Sequence, residues 1–345
     1  MSFSKICLLA SLSCVSIALI EPGAAIAWEE PTTTPSVNPP AKQPVARIGA
    51  KPTEMAITCF ALAPDGDMLA LGSNDGTIRL WSLAAGKVIG SIDTKPKGYT
   101  GSVAFSPDGK TLAFHADDDP VRLWDLEAGK ESGRHSEAFL SVEQLCFAAS
   151  GRQIGIVSDS DGFVWNLDSG KTWKSQQPVS SLAFSPDGKT LALGFNTLRL
   201  VEPATGTTIR EIGKMDGRVT TLQFSPAGNH ILVADGACPG TAVRQLESDT
   251  GEEMIVGEKI RSERVGARYS TDGKTIAVNN ESAQVVFWDA LTGKKLETLP
   301  GIDRSTNTLL FTPNGKRLLA GNNDSFGEVV ILDVPEVLST KRAAQ

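Results

Sequence analysis

Short apolar runs alternate with clusters rich in Gly, Pro, Asp and Asn along most of the chain. Runs such as Val103-Ala104-Phe105, "KTLAFH" at 110–115 and "KTLALG" at 189–194 are apolar at nearly every position, not at every second one. That pattern predicts strands buried on both faces. The cluster between two such runs has a recurrent spelling. "ALAPDGD" ends its turn at Gly66, "AFSPDGK" at Gly109, "CFAASGR" at Gly151 and "AFSPDGK" again at Gly188. "QFSPAGN" follows at Gly228, "RYSTDGK" at Gly273 and "LFTPNGK" at Gly315. The intervals between these glycines are 43, 42, 37, 40, 45 and 42 residues, which is the periodicity of a repeat fold. Proline presets φ at the first corner, Asp or Asn accepts nearby backbone N–H groups, and glycine takes the positive φ. Each turn therefore predicts a hairpin.

A third strand follows each hairpin: "TIRLWSL" at 77–83, "VRLWDL" at 121–126, "FVWNL" at 163–167 and "VVFWDA" at 285–290. Trp81, Trp124 and Trp288 stand 15 residues after their turn glycines and Trp165 stands 14 after its own. A fixed position in a strand predicts packing between neighbouring units, because large aromatics dominate core burial. The fourth, fifth and seventh copies read "TLRLVEP", "AVRQLES" and "VVILDV" instead, while Trp28 and Trp173 lie outside the register. A short turn such as Ala128-Gly129 or Thr292-Gly293 leads to a fourth strand, for example "KVIGSI" at 87–92 or "KLETL" at 295–299.

An SPDG turn, a strand, an Asp-Gly hairpin and then "LWDL", repeated at this period, resemble the WD-repeat family. The resemblance covers residues 45–334 and implies an all-β fold: a seven-bladed β-propeller of four-stranded antiparallel blades around a channel. The chain departs from the family in lacking the Gly-His pair before each innermost strand. With only His115, His135 and His230 present, the Trp–Ser/Thr–His–Asp network that the family implies cannot be complete. Packing and turns must fix the blades. An open ring would expose a raw strand edge. Val45 lies 21 residues before Gly66, as Val88 lies 21 before Gly109, so "VARIGA" at 45–50 occupies a fourth-strand position. It is expected to supply the outer strand of the blade built by 301–334.

The ends carry other signals. Lys5, the apolar run Ile6 to Ile20 and Ala25-Ile26-Ala27 read as a signal peptide, residues 1–27, cleaved after Ala27. The expected product is exported to the periplasm or secreted, with no membrane insertion after cleavage. Residues 28–44, with five prolines and three consecutive threonines, read as a linker, and 335–345 as a tail. Beyond the leader Cys59, Cys146 and Cys238 remain, an odd set without metal spacing. Cys59 and Cys146 are separated by a whole unit and are expected to stay reduced. The balance of 33 basic and 40 acidic residues offers no basic stripe, so no nucleic-acid partner is expected.

Candidate chemistry is sparse. His115, Asp117, Asp118 and Asp119 form the densest polar cluster, but sit where other copies carry Asp-rich hairpins that cap backbone N–H groups. "DSDG" at 159–162 begins like a calcium loop, yet position twelve is Gly170 where a bidentate Glu is needed. No GxSxG occurs. We therefore expect no catalytic, cofactor or metal residues. What differs between copies is the rim formed by the loops leading into each innermost strand together with the second-to-third-strand hairpins, and the resemblance implies that partners engage that rim. Tyr99, Phe139, Asp216, Arg218, Glu263, Arg264, Asp303 and Arg304 are the expected partner-binding residues there. The expectation is a monomeric, non-enzymatic scaffold that binds one or more proteins. A propeller enzyme of the lactonase or dehydrogenase kind, and a binder of small ligands or sugars at the channel mouth, remain open alternatives.

Overall fold

The apolar runs form strands, and the strands hydrogen-bond in sets of four. The computed structural model describes residues 45–48, 56–94, 98–237, 240–255, 260, 265–280, 282–300, 302, 306–321 and 328–336. The expected signal peptide, linker and most of the tail lie outside them, as do Cys238, Glu263, Arg264, Asp303 and Arg304. After β1 (Ala46–Ile48), blade 1 comprises β2 (Ile57–Leu62), β3 (Met68–Ser73), β4 (Thr77–Ser82) and β5 (Lys87–Asp93). Blade 2 follows with β6 (Thr100–Phe105), β7 (Thr111–Ala116), β8 (Pro120–Asp125) and β9 (Lys130–Ala138). Blade 3 is β10 (Gln144–Phe147), β11 (Gln153–Ser158), β12 (Asp161–Asn166) and β13 (Thr172–Lys174). Blade 4 is β14 (Ser181–Phe184), β15 (Leu191–Gly194), β16 (Thr197–Val201) and β17 (Thr208–Lys214). Blade 5 is β18 (Arg218–Phe224), β19 (His230–Ala237), β20 (Gly240–Glu247) and β21 (Glu253–Ile255). Blade 6 is β22 (Ala267–Tyr269), β23 (Thr275–Asn279), β24 (Gln284–Asp289) and β25 (Lys295–Pro300). Blade 7 holds β26 (Thr308–Phe311), β27 (Arg317–Gly321) and β28 (Val329–Asp333). In blades 1 to 6 the strands pair antiparallel in chain order, which makes an all-β, seven-bladed propeller.

Both faces of each blade are apolar, so the core is divided among the gaps between blades. Leu112 and Phe114 of blade 2 pack on Ala70 and Ile78 of blade 1. Ile154 and Ile156 of blade 3 pack in turn on Ala113 and Val121 of blade 2. The same pattern continues round to blades 6 and 7, where Phe287 meets Leu318 and Val330. Burying a side chain of this size contributes about 1.5–3 kcal/mol. Trp81, Trp124, Trp165 and Trp288 do pack in these gaps. Each tryptophan pairs with the apolar residue three positions after its turn glycine, as Leu69↔Trp81 and Ile276↔Trp288 do. By the same pairing Val201, Leu246 and Leu332 take the tryptophan's place in blades 4, 5 and 7. Trp173 sits on the outer strand of blade 3, and its Nε1 donates to the Pro203 carbonyl of blade 4 at 2.9 Å.

The seven turn glycines all have φ between 66° and 78°. In blade 2 the Ser106 hydroxyl donates to Asp108 Oδ1 (2.5 Å), which also accepts Lys110 N (3.0 Å). Blade 4 repeats these bonds at Ser185, Asp187 and Lys189. The serine hydroxyl, ahead of the other contacts, holds both aspartates below the usual carboxylate range. A second constraint ties the turns together. A Cβ on Gly66 would lie 2.7 Å from Pro313 Cδ, and one on Gly109 would lie 3.6 Å from Pro64 Cδ. The proline of one turn therefore packs on the glycine of the next, from blade 7 to blade 1 as well. Two turns lack the proline: blade 6 has Thr271, whose Oγ1 would lie 3.2 Å from a Cβ on Gly315, and blade 3 has Ala149, with nothing within 4 Å of a Cβ on Gly188.

The ring closes through β1. It pairs antiparallel with β28 (Ala46↔Ile331, Arg47↔Val330, Ile48↔Val329), giving the sheet order β1-β28-β27-β26. Val45 N donates to the Ile331 carbonyl at 2.8 Å, and Arg47 forms an ion pair with Glu328. Ile48 is buried against Ile57, Leu69 and Ile331, so β1 also seals the gap between blades 7 and 1.

Two outcomes follow from this architecture. Removing residues 1–48 is expected to lower the melting temperature steeply and expose β28 to self-association, while removing 1–44 leaves both unchanged. Circular dichroism melts and size-exclusion chromatography check this. Gly66→Ala and Gly188→Ala both place an L-residue at positive φ, at a cost of about 1–2 kcal/mol. Gly66→Ala also meets Pro313, so its urea midpoint should fall further than that of Gly188→Ala; equal midpoints would remove the proline contact from the account.

Candidate functional site

On the lead-in rim the expected residues divide. Tyr99 is 45% exposed, and its backbone N–H donates to Asp117 Oδ1 at 2.8 Å. Asp117 has φ +50° and returns its own N–H to the Tyr99 carbonyl at 2.9 Å. The hairpin carboxylate thus holds the tyrosine loop in place, as the capping account of that cluster anticipates. Phe139 does not stand free. It is 6% exposed, with its ring 5.1 Å from His135 and 5.3 Å from Phe163. The next residue, Leu140, is the one turned outward, at 75% exposure. A one-residue phase error separates the two, because the loop after β9 follows no strand alternation. Val142 of the same loop lies over Gly101, where a Cβ would come within 2.9 Å of its carbonyl, so this loop abuts the Tyr99 segment.

On blade 5, Arg244 gathers acids. Its guanidinium is 2.5 Å from Asp216, 3.2 Å from Asp235 and 3.3 Å from Glu253. Asp216 N also donates to Asp235 Oδ2 at 2.6 Å. Asp235 is completely buried, and desolvation pushes its carboxyl above the usual range against the pull of Arg244. Arg218 of blade 5 reaches Glu143 of blade 3 at 2.9 Å, passing the lead-in to blade 4. Sequence reasoning missed Glu143 and Leu140. Tyr99, Glu143 and Arg218 all line the mouth of the central channel.

The channel has a volume of about 1530 Å³ and is walled by the seven innermost strands. Their inward edges have no strand partner, and side chains of adjacent blades satisfy them. Thr58 Oγ1 donates to the Thr100 carbonyl (2.6 Å), and Leu145 N donates to Ser102 Oγ (3.0 Å). Gln144 clasps Leu182 by both its carbonyl (2.8 Å) and its N–H (3.1 Å). Ser180 Oγ donates to the Val219 carbonyl (2.6 Å), and Gln223 Oε1 accepts Tyr269 N (2.9 Å). Arg268 Nε donates to the Leu309 carbonyl (3.1 Å). Five residues before each turn glycine, the wall carries Ala61, Ala104, Cys146, Ala183, Gln223, Arg268 and Leu310. Arg268 is the charged member of that ring.

The remaining chemistry is structural. Cys59 and Cys146 are free, and burial pushes both thiols up to about 12, which leaves them poor nucleophiles. Among the described residues, no group of three or more His, Cys, Asp or Glu side chains is placed to hold a metal. Asp159 and Ser160 have φ of 50° and 66°, as a tight hairpin requires.

His115 is buried at 2% exposure, and its Nε2 is 3.0 Å from the Phe139 carbonyl. Burial lowers its pKa, and the Phe139 carbonyl, Asp119 and Asp117 oppose that shift without overcoming it. The folded state therefore favours the neutral ring. Its contribution to stability is present above about pH 6.5 and is lost as pH falls through the lower, folded value. His115→Gln should flatten the loss of urea stability between about pH 7.5 and 5.5. A variant with the wild-type slope would assign that loss to other groups.

Comparison with known proteins agrees with this geometry. The family described as WD domain, G-beta repeat matches residues 43–82. Eukaryotic translation initiation factor 3 subunit I of Kluyveromyces lactis is 22% identical over 217 residues, 59% of this chain and 58% of that protein. An uncharacterized WD repeat-containing protein of Synechocystis is 25% identical over 146 residues, 41% of each chain. The chain thus spans less than two thirds of the length of these curated relatives. Among solved structures, the β-propeller domain of Cps50 (Swd1) from Myceliophteria thermophila superimposes with a TM-score of 0.69 at 17% identity. That match covers 81% of this chain and 97% of the other. The chain is thus a seven-bladed β-propeller that is similar to WD-repeat proteins, with one of its units matching the WD domain, G-beta repeat model.

Proposed function

We propose that this propeller is a non-enzymatic scaffold that binds another protein through its lead-in rim, next to the channel mouth. The observation that carries the reading is Leu140, 75% exposed, on a loop that abuts the 45% exposed Tyr99. Exposed aromatic and aliphatic side chains flanked by charge are the usual anchors of a protein interface. Here the charge is the Glu143–Arg218 pair at the mouth. WD-repeat propellers commonly act as interaction scaffolds, and the Kluyveromyces relative is named as a subunit. The buried histidines also suit a non-catalytic role, since His115 meets Phe139 and His135 Nε2 meets Thr172 Oγ1 at 2.7 Å. The reading includes export: Lys5, the apolar run from Ile6 to Ile20 and the Ala25-Ile26-Ala27 site support delivery to the periplasm or cell exterior.

The test is affinity capture from the producing cell with three baits: wild type, Tyr99→Ala/Leu140→Ser, and Leu291→Ser as an exposed control on a third-to-fourth-strand turn. A direct partner should bind wild type and the control alike. The rim variant should bind about tenfold more weakly or worse, as expected for loss of an interface anchor. A partner retained equally by all three would move the interface elsewhere.

A further inference from the structure

We propose that the central channel binds a small organic acid, with the carboxylate on Arg268 and an apolar body along the alanine- and phenylalanine-lined wall. This goes beyond the rim scaffold, and neither reading depends on the other. The first observation is positional. At the ring where five blades present Ala, Cys or Leu, blade 6 presents a guanidinium.

The second observation is incomplete pairing. A guanidinium has five N–H donors. Nε is used by the Leu309 carbonyl, and among the described residues the terminal nitrogens meet no protein acceptor and no carboxylate. Glu143, the acid at the mouth, is already paired with Arg218. The charge is also desolvated: burial pulls the Arg268 pKa below its ordinary value, with only the Cys146 sulfur of blade 3 acting the other way. Arg268 lines the channel, as Cys146 does. A desolvated charge with no opposite partner is stabilised by an opposite charge brought to it.

The chemical class follows from what surrounds the charge. A planar fork matches a carboxylate bidentately. The other cation lining the channel among the described residues, Arg218, is committed to Glu143 at the mouth, so the site offers one positive charge to one negative charge. A doubly charged phosphate would need more. Next along the wall, toward the turns, come Phe105, Phe147, Phe184 and Phe311, which favour an apolar body. The channel volume of about 1530 Å³ leaves ample room for such a molecule.

Calorimetric titration of the full chain with hexanoate, hexanol and inorganic phosphate tests the assignment. Hexanoate should bind, and hexanol and phosphate should bind about tenfold more weakly or worse. Arg268→Met, which keeps an unbranched apolar stem but not the guanidinium, should lose about tenfold or more in hexanoate affinity. Gln223→Glu keeps the acceptor for Tyr269 N and supplies an internal carboxylate beside Arg268, so it should lose binding as well, even if Arg268→Met fails to fold. Circular dichroism confirms that each variant measured retains its strands. Absence of hexanoate binding to wild type overturns the proposal. So does phosphate binding as tightly as hexanoate, or unchanged affinity in a folded variant of either kind.

Discussion

The structure depends on a single constraint: each blade is apolar on both faces and can bury them only between two others. A flat stack of such sheets would always leave two outer faces wet. A ring leaves none, provided that it closes. The clusters described above fall one to each gap, and the gap between blades 7 and 1 includes Ile48 from the very start of the described chain. Sequence neighbours supply the other contacts. The last contact is a meeting of distant segments, which is why three residues of β1 matter more than their number suggests.

Two smaller devices act on the same ring. On the turn side, proline of one blade rests on glycine of the next, and the missing proline at Ala149 leaves Gly188 uncrowded. On the channel side, hydroxyl and amide side chains complete the backbone edges that β-pairing leaves open. Buried backbone groups need partners, and here short polar side chains provide them.

Much of this was legible in the sequence. The turn glycines fix the number of blades because positive φ tolerates little else, and they survive where proline is lost. The third-strand tryptophans mark the gaps, and the 21-residue offset of Val45 marks the closing strand. The site was less legible. Phe139 and Leu140 occupy a loop with no periodicity, so no pattern says which of the two turns inward. Arg268 could have been found by aligning the copies on their turn glycines and asking which residue departs from small or apolar at that ring. Its meaning needed the channel, since only there is it seen to meet no carboxylate among the described residues. The replacement of tryptophan by Val201, Leu246 and Leu332 was partly hidden too, because hairpins of different length shift the count from the glycine.

The antiparallel pairing of β1 with β28 has a directional consequence. Third strands run toward the turns, and Arg317↔Asp333 places the end of β28 beside the Gly315 turn. Ala46↔Ile331 places the start of β1 near the same end. The chain therefore comes into the ring and leaves it on one side, opposite Tyr99 and Leu140. The closing blade thus takes in both of its end strands from the turn side and leaves the lead-in rim, with the channel mouth at its centre, free of that crossing.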